Sequence, residues 1–313
     1  FFLELLQYLC DKFGSDPQII CTSATINRGK KFVEKLTGSK FKVIKKSGAP
    51  HPRKDVLFVK HTDIQLNKQY KKKRIYEKNS EALLDIAEDL ALQGQKVLIF
   101  VNSKSRIETL ANRLKANLAY FLQALNNAKR EDFDNENDWE EIKFLKKDTY
   151  KIKQDEIAYY HADLSDKRRR KVEKKFKAGE IKILFSTKAM EVGVDIGDLQ
   201  ICILHGIPRS NNEIWQRIGR AGRSASKDTL IIVNHTFTAI DRYFFNNPQE
   251  FMKTRNKPES PIIFPNNKEI RKRHLQCAYH EGMQKSDLNH NLDIKIWNDH
   301  LKKNISKFAA YQL

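Results

Sequence analysis

Cysteine is scarce in this sequence, and its four cysteines lie far apart, at Cys10, Cys21, Cys202 and Cys277. No two of them form a C-x-x-C pair, the usual half of a zinc site, so we expect no metal site in the chain. Cys21 and Cys202 lie in apolar runs, which predicts buried thiols. Scattered cysteines favour a reducing, intracellular setting, in the cytoplasm or a nucleus, over a disulfide framework.

Long apolar runs are missing as well. No stretch approaches the ~20 apolar residues that a helix needs to cross a bilayer, so we expect no membrane partner. The first ten residues, FFLELLQYLC, lack the initiator Met and the basic flank of a signal peptide. Their apolar spacing predicts an amphipathic helix over 1–13, cut from a longer chain.

Acidic residues are outnumbered. The 58 basic and 39 acidic side chains give a formal net charge of +19. Such an excess favours a polyanionic partner, most simply nucleic acid. A lysine-rich soluble protein shaped only by codon bias is the alternative, and composition does not separate the two. A chain of 313 residues is long enough for one large domain or two small ones.

The rest of the chain is organised around the stretch 181–223. Two short runs rich in β-branched residues, 181–186 and 200–205, predict buried strands. After them, Asn211 is a candidate cap for a helix. The loop between the two runs carries two acids and two glycines, at Glu191, Gly193, Asp195 and Gly197.

Three arginines follow at steps of three, at Arg217, Arg220 and Arg223. This spacing places them near one face of a helix or on the turn that leaves it. The planar, always charged guanidinium suits a phosphate. Gly219 and Gly222 remove side-chain bulk, so that a polyphosphate or another stretch of backbone can approach closely. A solvated basic face is the alternative for the arginines alone.

Strands alternate with helices from 96 to 233, which predicts an α/β fold with a doubly wound parallel sheet. Helices are predicted at 80–92, 107–114 and 167–177. The first has Leu83, Leu84, Ala87 and Leu90 inward, and the last is capped by Ser165 or Asp166. Functional loops of such sheets gather at the carboxyl ends of the strands. Five polar residues stand at the end of a predicted strand or directly after it: Asn102, Ser103, His161, Ser186 and Thr187. Capping of the next helix by Ser103 or Ser105, and a structural role for His161, are the alternatives.

Three motifs resemble those of the superfamily 2 helicases, and they stand in the family's order. QRIGRAGR at 216–223 resembles motif VI, STKAMEVGVDIGDL at 186–199 resembles motif V, and Ser23-Ala24-Thr25 resembles motif III. The resemblance covers at least 1–235. It implies a RecA-like fold and ATP, with Mg²⁺, bound between two RecA-like domains.

Two further stretches narrow the resemblance to one branch. FGSDPQIICTSAT at 13–25 and the stretch 247–282, which contains PNNKEIRKRHLQCA, are similar to segments of the bacterial mitomycin-repair helicases and their fungal RecQ-four-like relatives. That branch implies an ATP-dependent DNA helicase of the repair type that moves 3′ to 5′ on single-stranded or tailed duplex DNA. The alternatives are another superfamily 2 enzyme, such as an RNA helicase or a defence-system subunit, and a nucleic-acid-binding module without ATPase activity.

The resemblance also assigns roles to single residues. At the nucleotide, it implies arginine fingers at Arg220 and Arg223, a positioning group at Gln216 and a motif V loop with Gly193 and Asp195, whose carboxylate accepts from the ribose. At the nucleic-acid backbone, it implies contacts from Asn102 and Ser103 in motif IV and from Ser186 and Thr187 in motif V, with His161 nearby. Ser23 and Thr25 couple the two events. Glu191 receives no role.

Two helicase elements are missing from the sequence. It contains neither G-x-x-x-x-G-K-[ST] nor an Asp-Glu-Ala-His or Asp-Glu-Ala-Asp tetrapeptide. In the family these hold the triphosphate and Mg²⁺ in the first RecA-like domain, upstream of motif III. We therefore expect the Mg²⁺ ligands outside this chain and a fragment that is inactive on its own, with an upstream RecA-like domain as its partner.

The predicted domain organisation follows from these motifs. We expect the end of the first RecA-like domain at 1–46, a linker leading into the second domain at 47–79, the second domain at 80–240 and a helical extension at 241–313. The first of these is predicted to contain strands at 18–21 and 41–45 and a helix at 30–37, and the extension a last helix over 294–313. Within the second domain, 115–156 reads as an insertion around the acidic run EDFDNENDWEE at 131–141. It predicts a helix near 114–129 and a second helix, as either a partner or DNA-separating element or a surface embellishment.

Overall fold

The structure is a computed structural model, and it describes residues 13–23, 29–44, 53–60, 71–146, 152–191, 194–222 and 228–257, with isolated positions before 13 and between 259 and 277. The chain forms two compact units, 1–46 with 260–313 and 47–259. The domain limits predicted from the sequence stay a prediction. The helix predicted over 294–313 lies outside the described residues, as does most of the helix predicted over 1–13.

The first unit contains the helix α1 (Gly29–Thr37), close to the predicted 30–37. The strands predicted at 18–21 and 41–45 are wrong where the structure describes them, because 18–21 and 41–44 form no strand. A strand needs a hydrogen-bonded neighbour, and the described part of this unit provides none. Ile20 and Ile44 are consequently 76% and 88% exposed, and Cys21 is exposed rather than buried.

A parallel sheet forms the centre of the second unit, as the sequence predicts. Its strands within the described residues are β1 (Lys54–Val59), β2 (Val97–Val101), β3 (Ile157–Tyr160), β4 (Ile183–Ser186), β5 (Ile201–His205) and β6 (Thr229–Asn234). They lie in the order β1-β6-β5-β2-β4-β3, and each neighbouring pair is parallel.

The central strand β2 shows why these runs are continuously apolar. Val97, Ile99 and Val101 pack into the core on one face of the sheet. Leu98 and Phe100 pack into the core on the other face. Because successive side chains of a strand point to opposite faces, a sheet covered on both sides needs apolar residues at every position.

Two helices cover the first face, α2 (Lys71–Leu92) and α3 (Lys104–Asn127). The inward residues predicted for α2 are confirmed at Leu83, Leu84 and Ala87, each at most 1% exposed. The helix predicted at 107–114 and the insertion helix predicted near 114–129 are one continuous helix, α3. No glycine or proline interrupts it, and Leu110, Leu114, Leu118 and Leu125 keep one stripe buried. The second insertion helix is confirmed as α4 (Glu136–Lys146).

The opposite face carries α5 (Asp166–Ala178), α6 (Asn211–Ile218), α7 (Ala239–Asn246) and α8 (Pro248–Lys253). The predicted cap of α5 is confirmed, since the Ser165 hydroxyl accepts a hydrogen bond from the amide of Arg168. The predicted cap of α6 is wrong by one residue. Ser210 is the cap, and its hydroxyl accepts from the amide of Glu213 at 3.3 Å, while Asn211 is the first helical residue.

A buried carboxylate fixes the loops at the carboxyl edge of β5 and β6. Asp241 is fully buried, and its Oδ1 accepts from the amide of Ile207 at 2.8 Å. Its Oδ2 accepts from the amide of Thr236 at 2.8 Å and from the Thr236 hydroxyl at 2.6 Å. Together these bonds hold the two loops to the start of α7. Among the residues that the structure describes, no helix is long and apolar enough to cross a membrane.

Candidate functional site at the carboxyl edge of the sheet

One buried arginine joins the loops that follow β2 and β4 to helix α6. Arg217 is only 3% exposed. Its Nε donates to Oε1 of Glu191 at 2.7 Å, and its Nη1 donates to Oδ1 of Asn102 at 2.7 Å. The guanidinium lies over the ring of Phe100, 5.4 Å from the centroid. The structure thus brings the predicted motifs IV, V and VI together around a single side chain.

Glu191 and Arg217 form a buried ion pair. Glu191 is 6% exposed, and burial raises the pKa of its carboxyl group, while the hydrogen bond and charge of Arg217 oppose that rise. Removing one member of a buried pair leaves an uncompensated charge, which costs several kcal/mol, typically about 3–5. The pair therefore holds the motif V loop against α6. Our sequence reasoning gave Glu191 no role, although a carboxylate among the apolar residues of AMEVGVDI was a signal that it needed a cation nearby.

Arg220 lies on the turn after α6, because the helix ends at Ile218. Its Nη1 donates to the carbonyl of Val194 at 3.1 Å, and its Nη2 donates to the carbonyl of Glu191. These two contacts orient the guanidinium without cancelling its positive charge, because carbonyl oxygens carry no net charge. An oriented, half-buried guanidinium fits a phosphate ligand.

The turn after α6 is fixed by close backbone contacts. A Cβ atom added to Gly219 would lie 2.9 Å from the carbonyl oxygen of Trp215, so only glycine fits there. The amide of Gly222 donates to the carbonyl of Leu199 at 2.9 Å. The sequence suggested that these glycines let either a polyphosphate or another stretch of backbone come close. In the described residues it is backbone that lies against them.

A lysine of strand β1 supports the same turn from the other side. Lys54 Nζ donates to the carbonyl of Ala221 at 2.7 Å and to that of Ile218 at 3.4 Å. Burial lowers the pKa of Lys54. A cation at the carboxyl end of a helix stabilises the exposed carbonyls and the helix dipole.

The predicted motif IV residues stand at the start of α3. Asn102 is exposed, and its Oδ1 is the acceptor for Arg217. Ser103 occupies the N-cap position, but its side chain makes no capping hydrogen bond, so the capping alternative is wrong for this hydroxyl. Its Oγ lies 3.1 Å from the Oγ of Ser105 instead.

The two motif V hydroxyls differ in exposure. Ser186 is 0% exposed, and its Oγ donates to the carbonyls of Tyr160 at 3.2 Å and Thr187 at 3.0 Å. The Ser186 side chain has no exposed surface in this conformation, and its contact with nucleic acid stays a prediction. Thr187 is 9% exposed and opens the short 3₁₀ helix Lys188–Met190.

His161 is enclosed rather than presented at the surface. It is 7% exposed, and its Nε2 lies 3.0 Å from Oε1 of Glu108. Its ring stacks on Tyr159 with the centroids 5.9 Å apart. Its Nδ1 is buried with no hydrogen-bond partner in the part of the chain that the structure describes. This environment fits the structural alternative for His161 better than a phosphate contact.

The remaining predicted residues are only partly covered by the structure. Asp195 is exposed; its Oδ2 accepts from Lys177 Nζ at 2.5 Å and its Oδ1 accepts from the amide of Gly197 at 3.1 Å. Gln216 is half-buried on α6, and Ser23 is exposed in the first unit. Thr25, Gly193 and Arg223 lie outside the described residues.

The fold of the second unit, with its arginine-centred edge, is similar to that of helicase domains. Residues 133–225 match the family Helicase conserved C-terminal domain. This stretch lies within the second unit, which has the RecA-like fold that the motifs imply.

Particular relatives agree with this class. The chain is 30% identical over 279 residues to the uncharacterised ATP-dependent helicase YprA of Bacillus subtilis, an alignment that covers 89% of this chain and 32% of YprA. It is 32% identical over 128 residues to the ATP-dependent helicase HRQ1 of Saccharomyces cerevisiae, covering 40% of this chain and 12% of HRQ1. The chain thus spans about a third of the length of YprA.

Solved structures agree as well. The crystal structure of the helicase MrfA bound to DNA and AMPPNP has a TM-score of 0.68 and 29% identity, covering 88% of this chain and 33% of MrfA. The helicase Lhr of Mycobacterium smegmatis has a TM-score of 0.59 at 19% identity, a likeness of fold alone. The resemblance to helicases of this group is confirmed.

Proposed function

We propose that this chain forms the second RecA-like half of an ATP-dependent DNA helicase or translocase. The observation that carries the proposal is the network around Arg217, which joins helicase motifs IV, V and VI at one edge of the sheet. Two comparisons support it. YprA is named an ATP-dependent helicase, and MrfA was crystallised with DNA and AMPPNP.

On the nucleotide side, the residues of this chain provide positive charge and positioning. Arg220 and Arg223 would act as arginine fingers at the γ-phosphate, and Gln216 would position the nucleotide. Asp195 would exchange its contact with Lys177 for a ribose hydroxyl, beside Gly193. ATP, with Mg²⁺, supplies the free energy for movement when it is bound.

Among the described residues no group of three or more His, Cys, Asp or Glu could hold a metal ion. We assign the Mg²⁺ ligands and the P-loop to a first RecA-like domain upstream of Ser23, because the sequence lacks the motifs that hold them in the family. Ser23 and Thr25 would connect that domain to the events at this site. In this proposal the chain on its own does not hydrolyse ATP.

On the nucleic-acid side, Asn102, Ser103 and Thr187 are the candidates for contact with the backbone. Ser186 and His161 are buried, so in this proposal they hold the strand ends beneath the contacting loops. Movement from 3′ to 5′ and a role in DNA repair are the parts of the proposal that rest on resemblance to the mitomycin-repair branch alone.

The proposal is tested by ATP hydrolysis of the full-length protein with and without single-stranded DNA. We expect DNA-stimulated hydrolysis in the wild type and a loss of about 10³-fold or more in Arg220→Ala and in Arg223→Ala, the usual effect of removing an arginine finger. Arg209→Ala is the matched control, because Arg209 is an exposed arginine in the loop before α6.

Two results would contradict the proposal. Hydrolysis that survives in Arg220→Ala and Arg223→Ala would remove the finger assignment. A full-length wild type that hydrolyses no ATP on DNA or on RNA would leave a nucleic-acid-binding module on a helicase fold. Stimulation by RNA but not by DNA would favour the RNA-helicase alternative.

A further inference from the structure

Arg217 is too deeply buried to touch a ligand, yet it is bonded to residues on both sides of the proposed site. It binds Asn102 on the nucleic-acid side and Glu191, which in turn binds Arg220, on the nucleotide side. It is 3% exposed, whereas Asn102 on one side is exposed and Arg220 on the other is half-buried. We propose that Arg217 is a positioning residue that transmits occupancy of the Asn102 loop to the orientation of Arg220. This inference rests on the proposed function, since it concerns how the two halves of that site communicate.

The path begins at the Asn102 amide. Its Oδ1 accepts from Nη1 of Arg217 at 2.7 Å, and its Nδ2 has no hydrogen-bond partner among the residues that the structure describes. An amide nitrogen that is still free to donate suits a phosphate oxygen of a nucleic-acid strand. A strand bound at Nδ2 therefore pulls on the same side chain that Arg217 holds through Oδ1.

Asn102 is exposed, but one side of its amide faces the backbone of Gly206. Gly206 follows β5 beside it, and a Cβ atom on Gly206 would lie 3.4 Å from Asn102 Nδ2 and 2.6 Å from the Thr236 hydroxyl. Below, the Arg217 guanidinium lies on the ring of Phe100. Arg217 is buried, so a pull on its hydrogen bond to Asn102 moves the guanidinium against close-packed neighbours. Movement of Asn102 is thus passed to Arg217.

Glu191 connects Arg217 to Arg220, because its side chain binds one arginine and its main chain binds the other. Its side-chain Oε1 accepts from Nε of Arg217 at 2.7 Å. Its main-chain carbonyl accepts from Nη2 of Arg220. The ion pair is buried and costly to separate, so Glu191 follows Arg217, and its carbonyl re-aims Arg220.

The shape of the guanidinium group explains why position 217 needs arginine rather than lysine. One guanidinium fork binds Glu191 and Asn102 at the same time through Nε and Nη1. A lysine in its place keeps the positive charge for Glu191 but presents a single ammonium on a flexible stem. Arg217→Lys therefore keeps the buried charge balanced and separates the two partners, which distinguishes transmission from simple stability.

The first test measures hydrolysis by full-length Arg217→Lys at saturating ATP and oligo(dT). We expect kcat to fall about 10-fold or more, with the KM for ATP and the Kd for oligo(dT) within about 3-fold of wild type and the melting temperature within a few degrees. Arg209→Lys, at an exposed arginine of the same unit, is the control. A loss of melting temperature with proportional loss of every parameter would overturn the proposal in favour of a purely structural role.

A double-mutant cycle with Asn102→Ala tests the path itself. Both changes break the same connection. We therefore expect the kcat of the double variant to equal the lower of the two single-variant kcat values. Two losses that multiply would show that Asn102 and Arg217 act independently, and the proposed transmission would be wrong.

Hydrogen exchange provides a readout that needs no hydrolysis. On binding oligo(dT), we expect changed protection of amides in the segment 186–191 of the wild type and no such change in Arg217→Lys that still binds the oligonucleotide. No change in the wild type would overturn the transmission even if ATP hydrolysis is stimulated by DNA. A change without any hydrolysis would instead overturn the proposed function and leave the transmission standing.

Discussion

His205 is a buried histidine at the end of a central strand, and its hydrogen bond fixes its protonation state. It is 2% exposed, and its Nδ1 lies 2.9 Å from Nδ2 of Asn234. An amide NH₂ only donates, so Nδ1 is the acceptor and carries no proton. Asn234 Nδ2 also donates to the carbonyl of Asn79 at 2.9 Å, which ties β6 to α2. Burial lowers the pKa of His205 to about 4.

Acid is therefore expected to destabilise the fold through His205. The unfolded chain protonates this histidine below its ordinary pKa of 6.5, whereas the folded protein resists down to about 4. Stability present near pH 7 is lost as pH falls through that window, by about 2–3 kcal/mol at about pH 4.5. The free energy of unfolding, measured by urea denaturation at about pH 7 and at about pH 4.5, tests this loss. His205→Gln, which keeps an acceptor for Asn234, should show a smaller difference; an equal difference would contradict the assignment.

Single residues also show which features of the site the sequence predicts and which it does not. The arginine spacing picked out Arg220, because motif VI is local and its turn follows from the neighbouring glycines. The partner of Arg217 was missed because Asn102 lies 115 residues away in the sequence. Arg217 is buried and Arg220 is half-buried, although both belong to the same three-residue spacing. The spacing does not predict this difference, because burial depends on the assembled sheet. The burial of Ser186 and His161 was not foreseen for the same reason.

At the scale of elements, the lysine of β1 at the end of α6 invites a direct test. Lys54→Met removes the donor to the carbonyls of Ala221 and Ile218. We expect the free energy of unfolding to fall by about 1 kcal/mol, the usual worth of a hydrogen-bonded cation at a helix end. Chemical denaturation measures the change. Lys171→Met on the exposed side of α5 is the matched control, and an equal effect there would contradict the cap.

Helices and strands differed in how well the sequence predicted them. The strands of the second unit were predicted within one or two residues, because each is a short apolar run bounded by polar residues. The limits of α3 were missed, since its apolar stripe continues past the point where the family pattern suggested an insertion. The runs at 18–21 and 41–44 have strand-like composition, but a strand forms only where another strand pairs with it.

At the scale of the whole molecule, the net charge of +19 predicts how the chain binds a polyanion. We expect the affinity of the full-length protein for oligo(dT) to fall steeply with salt, with a log–log slope of about −0.7 per phosphate contacted. Fluorescence anisotropy at several salt concentrations measures that slope. An affinity that does not change with salt would contradict binding through the phosphate backbone.

The pairing of β1 with β6 joins the two ends of the second unit. Lys54 stands opposite Thr229, and Val59 stands opposite Asn234. During synthesis β1 leaves the ribosome first and has no neighbour in this sheet until β6 follows, after the other four strands. Contacts between residues so distant in sequence form late and slowly. This unit therefore acquires its outer strand only when its sheet has been fully translated, and until then the exposed edge of β1 is open to chaperones and to wrong partners.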